Sequence, residues 1–98
     1  MSEQLTLVAM LKAKPGRSEE LGSRLKALIE PTRAEAGNID YLLHRATDGD
    51  DTWMLYENWR SKQDLDLHFE TSYLKDFLKA APTLLANEMD LRFFQQTT

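Results

Sequence analysis

The chain has 98 residues, 42% hydrophobic and 29% charged, with a formal net charge of -4 and a sequence pI near 5.1. That is the balance of a globular protein rather than a disordered one, and its 12 Lys and Arg are scattered, so no surface for nucleic acid is expected. With no cysteine there are no disulfides, thiol nucleophiles or iron–sulfur clusters, and the only imidazoles, His44 and His68, lack metal-ligand spacing, so no metal is expected.

A chain this short removes only ~60–65% of its unfolded surface from water, so one domain over residues 1–98, helped by a partner subunit, is the expectation. The apolar start LTLVAML follows an acid and precedes lysines, without a basic leader or small-residue cleavage site, and no apolar run approaches membrane-spanning length. A cytoplasmic protein with no membrane association is expected.

The first element, Leu5 to Lys14, is a predicted strand, stopped by Pro15-Gly16. Leu5, Leu7, Ala9 and Leu11 point one way and Thr6, Val8 and Met10 the other, so both faces need cover. Ser18 is a plausible helix N-cap, with Glu19 and Glu20 favourably placed for the helix dipole. Leu21, Leu25, Leu28, Ile29 and Thr32 form one helical stripe, Pro31 predicts a kink or restarted turn, and Gly37 suits the position just past the helix. Asn38 to Arg45 and Thr52 to Trp59 read as strands joined by a hairpin loop, Thr47 to Asp51, centred on Asp-Gly. On the later strand Trp53, Leu55, Glu57 and Trp59 share one face, and Thr52, Met54, Tyr56 and Asn58 the other.

Ser61 can cap a second helix running through Asp64 and Leu65 to Phe69. Tyr73, Leu74, Phe77 and Leu78 begin a further helix that Pro82 should interrupt or end, and Met89 to Gln95 is a last strand. The order β-α-β-β-α-β predicts an α+β, ferredoxin-like antiparallel sheet. Helices cover one face of such a sheet; the other would keep the apolar residues of the first and third strands, which favours pairing of two sheets into a homodimer.

His68 titrates near neutrality yet lies on an apolar stripe with Leu65 and Phe69, and a sheet–helix cavity would bring the Glu57 and Trp59 face towards it. Burial would raise the pKa of Glu57 and make it a proton acceptor, while Trp59 offers a flat wall for an aromatic ligand. Tyr41, Tyr56 and Tyr73 carry phenols that can orient a substrate oxygen. Each of these positions also has a purely structural reading, as core packing or a buried hydrogen-bond partner. Asn58 is on the opposite strand face from Trp59, as His44 is from Tyr41. No phosphate loop, nucleophile elbow or dinucleotide fingerprint occurs, so no resident cofactor is expected.

The segments KAKPGRSEEL, EPTRAEAGNIDYLLHRA and YENWRSKQDLDLHFETSYLKDF, between residues 12 and 77, resemble the antibiotic biosynthesis monooxygenase family. The strongest element is Tyr56-Glu57-x-Trp59-x-Ser61 followed by Leu65-x-x-His68 and Thr71. The resemblance implies a ferredoxin-like subunit pairing into a dimeric α/β barrel, and chemistry in which a quinol or anthrone reduces dioxygen without metal or flavin. It makes His68 the candidate base, Trp59 the wall and Glu57 the orienting group, with Tyr41 and Tyr73 as further substrate contacts. Leu55 stands where anthrone-oxidising members resemble one another in having Asn, the first strand lacks the Asn of haem-degrading members, and Tyr73 stands where many relatives have a second His. The leading expectation is a cofactor-independent monooxygenase of a small quinol or polyphenol, with dioxygen as co-substrate. The alternatives are a non-catalytic module binding a small aromatic or apolar compound, and a non-oxidative isomerase.

Overall fold

The computed structural model describes residues 4–98. Eight elements follow one another: β1 Leu5–Lys12, α1 Ser18–Lys26, α2 Ile29–Arg33, β2 Asn38–Arg45, β3 Thr52–Trp59, α3 Lys62–Phe69, α4 Ser72–Leu84 and β4 Asp90–Phe94. The strands form one open antiparallel sheet in the order β2-β3-β1-β4, the ferredoxin-like arrangement. Leu7 pairs with Glu57, Ala9 with Leu55 and Tyr41 with Glu57, so β1, β2 and β3 turn these side chains to the helix-covered face.

Local chemistry sets the boundaries. Gly16 and Gly49, at φ +79° and +80°, supply the left-handed positions of the first turn and the hairpin. β1 ends two residues before the expected Lys14: Ala13 N–H still bonds the Asp51 carbonyl, but Ala13 bridges Leu85 rather than a strand residue, and Lys14 N–H bonds the Leu84 carbonyl. The break expected at Pro31 is present: Pro31 has no N–H to give the Ala27 carbonyl and its ring would collide with it, so α1 stops at Lys26 and α2 restarts at Ile29. The stripe survives the break, with Leu21, Leu25, Leu28 and Thr32 all buried.

Two other expectations are corrected. Ser18 does not cap α1; it is buried inside the first turn, and its hydroxyl accepts the Trp53 indole N–H at 3.1 Å. Gly37 lies past α2 without a positive φ; a Cβ there would sit 2.2 Å from Asp64 Cγ, so close approach of α3 is its requirement. Ser61 does cap α3, accepting from Asp64 N–H at 3.2 Å, and Arg60 grips the Asp64 carboxylate through two 2.9 Å bonds. This clasp fixes the turn between Trp59 and His68. Pro82 lies within α4, which runs on to Leu84.

The core lies between sheet and helices, a main cluster around Leu11, Leu25, Leu55 and Phe77 and a smaller one of Leu7, Trp59 and Leu65. On the uncovered face Met10, Leu42 and Tyr56 remain 37%, 41% and 36% exposed beside a part-buried polar link: Asn58 accepts from Thr6 at 2.5 Å and donates to Asp40 at 3.0 Å. None of the described helices is long and apolar enough to cross a membrane.

Candidate active site

Under the helices, where α3 and α4 face β1, β2 and β3, the core leaves a void of about 30 Å³. Its polar lining is His68, Glu57 and Tyr41; the rest is apolar, including Leu55, Phe69, Leu78, Met89 and Leu91. The fold thus gathers four of the residues singled out from sequence, from β2, β3 and α3. Trp59 and Tyr73 sit one layer back, each holding a polar lining residue or its partner.

His68 is 2% exposed, with its ring against Trp59 at 4.6 Å between centroids and edge-on to Tyr41 at 5.9 Å. Its Nδ1 lies 2.7 Å from Glu35 Oε2. A carboxylate only accepts, so this contact puts the imidazole proton on Nδ1 and leaves Nε2 with a lone pair and no partner among the described residues. Burial lowers the His68 pKa, outweighing the Glu35 carboxylate, which pulls it up through the hydrogen bond and its charge. The ring is therefore neutral at pH 7, in the form of a proton acceptor.

Glu35 was not a sequence candidate. It lies just past the Ala34 C-cap of α2, pinned by its N–H to the Thr32 carbonyl and by Asn38 N–H to its own carbonyl. Its Oε2 also accepts a short hydrogen bond from the Tyr73 phenol, which lies 3.3 Å from the Pro31 carbonyl and ties α4 to α2. Burial, then the hydrogen bond and charge of Glu35, push the Tyr73 phenol up to about 12, so it stays a donor. A carboxylate held in this way fixes the orientation and tautomer of the imidazole it touches.

Glu57 is 3% exposed, and its single hydrogen bond among the described residues comes from the Trp59 indole N–H at 2.9 Å. Burial raises its carboxyl to about 7, the Trp59 bond opposing and the charge of Glu35 adding. It can carry or release a proton near neutrality. Burial and the neighbouring charge of Glu57 keep the Tyr41 phenol protonated far above the usual range. The Thr32 hydroxyl lies close enough to pull it the other way, yet its Oγ1 has no partner in hydrogen-bonding geometry among the described residues. His44 is exposed on β2, away from the void. The described residues gather no group of three or more His, Asp or Glu of the kind that holds a metal ion.

The family described as antibiotic biosynthesis monooxygenase matches residues 4–80, and the chain belongs to that family. PA3566 of Pseudomonas aeruginosa has a solved structure that superposes with a TM-score of 0.94 at 34% identity, covering 100% of this chain and 98% of that one. YcnE of Bacillus subtilis, whose name proposes a monooxygenase, is 30% identical over 89% of this chain and 92% of its own length. An uncharacterized Synechocystis protein is 30% identical over 95% of this chain, which spans 63% of that protein's length.

Proposed function

We propose that the chain is a monooxygenase without a resident cofactor, in which His68 Nε2 takes the proton of a small quinol or polyphenol and the resulting anion reduces dioxygen. For a hydroquinone the sum is quinol plus dioxygen giving hydroxyquinone plus water: the diol loses two electrons, a ring C–H becoming C–OH supplies two more, one oxygen atom enters the ring and the other leaves as water.

The observation that carries this reading is the Glu35–His68 pair, a neutral imidazole on the lining of a largely apolar void. Once the substrate proton arrives, the imidazolium is stabilised by Glu35, and Tyr73 keeps that carboxylate in place. Glu57, half protonated near neutrality, serves as donor to the substrate oxygen or to reduced dioxygen, with Trp59 holding its other side. Tyr41 offers a second donor, a phenol, and Leu55 an apolar contact for the ring. The uncovered sheet face, with Met10, Leu42 and Tyr56, is the surface through which we expect two subunits to pair into the α/β barrel.

Oxygen uptake with a panel of neutral quinols, measured aerobically and anaerobically for wild type and His68→Ala, tests the proposal. It predicts uptake that His68→Ala abolishes. Turnover without oxygen would mean an isomerase, and ligand binding that survives His68→Ala without turnover would mean a binding module; either result rejects it.

A further inference from the structure

The void is about 30 Å³, a fifth of the ~150 Å³ that takes up a benzene ring, so no aromatic substrate fits it as it stands. Outside it, along the last turns of α4 and the segment that follows, lies an open cleft of about 520 Å³ that includes Pro82, Asn87 and Glu88. The two share two residues, Leu78 and Met89, which form the wall between them. Both are half-buried, whereas the wall on the sheet side, Leu7, Ala9, Leu11 and Leu55, is fully buried.

This wall is built to yield. Pro82 cannot donate to the carbonyl four residues back, and that residue is Leu78, so α4 lacks a backbone bond where it closes the void. Met89 precedes β4, outside the strand ladder, and an unbranched thioether chain repacks at low cost. The electrostatics are one-sided: neither cavity is lined by Lys or Arg, Glu88 stands at the outer rim, and Glu57 at the inner end.

We infer that Leu78 and Met89 are a gate through which substrate passes from the α4 cleft to His68, and that this path admits neutral planar aromatics and rejects carboxylated or phosphorylated ones. The inference deepens the oxygenase reading and rests on it for the word substrate. The gate itself is a property of access to His68, measurable without turnover.

Diethylpyrocarbonate acylates unprotonated imidazole nitrogen, and in a His44→Asn background His68 is the one histidine that can react, since the chain has 2. Met89→Ala and Leu78→Ala should speed modification of His68 about tenfold, Met89→Trp should slow it, and Leu11→Ala, which trims the opposite wall, should leave it within about twofold. Neutral 1-naphthol should protect His68 and 1-hydroxy-2-naphthoate at the same concentration should not. Equal acceleration by Leu11→Ala and the gate variants, or no response to either gate residue, overturns the gate; equal protection by the two naphthols overturns the charge selection. Because modification requires no oxidation, a failed gate and a failed oxygenase assignment give separate results.

Discussion

The buried Glu57 makes stability depend on pH in a direction that can be worked out. Its carboxyl rises from the ordinary value of 4.5 to about 7 because burial disfavours the charged form. A group whose pKa is higher in the folded state stabilises fully below its unfolded pKa, and that contribution is lost as pH rises towards the folded value. Between pH 5 and pH 8 the loss is about 2.5 kcal/mol. His68 works in the opposite sense, since its lowered pKa means that acid, through the imidazole's ordinary 6.5, destabilises the fold. The two are separated by Glu57→Gln, which keeps shape and the acceptor for Trp59 but cannot ionise. Urea denaturation of both proteins at pH 5 and pH 8 should give similar stabilities in acid, and at pH 8 a variant more stable than wild type by about 2–3 kcal/mol. A difference between the two proteins that does not change with pH would refute the buried, ionisable Glu57 and its part in proton transfer.

Glu35→Gln should reduce turnover by about 10²- to 10⁴-fold with little change in KM; loss of the charge should lower the His68 pKa further, which an NMR titration reads and a merely structural role would not move. Gly22→Ala would place a Cβ 2.5 Å from the Trp53 ring, which cannot retreat without losing its bond to Ser18, and should cost ~1–3 kcal/mol in urea denaturation. If two copies pair through the uncovered face as proposed, the charge of Met10→Asp should turn a dimer in sedimentation of the wild type into a folded monomer; a wild-type monomer, or unchanged sedimentation of the variant, would reject pairing through that face.

Strands β2 and β3 begin and end at the expected residues around an Asp-Gly hairpin, and their pairing runs regularly from Asp40 to Arg45, shifting only between Asn38 and Asp40. Strand parity put Glu57 on the covered face and Asn58 on the other. Ser18 was misleading because a serine before two glutamates has the composition of a cap, and only the arrival of Trp53 from β3, across Gly22, gives its hydroxyl another use. Glu35 was invisible for a related reason. It stands in the polar segment EPTRAEAG with no spacing that ties it to His68, 33 residues later; tertiary closure alone makes the pair. The one local signal was Pro31, which forces the restart of α2 and so fixes where the next turn carries Glu35.

The proposed proton transfer requires a neutral His68 protonated on Nδ1, with a basic Nε2. It is tested most directly by long-range proton–nitrogen NMR of the His44→Asn protein at pH 7. One protonated nitrogen, whose signal changes in Glu35→Gln, and one bare, pyridine-like nitrogen are expected. Two protonated nitrogens, or a proton on Nε2 instead, would contradict it.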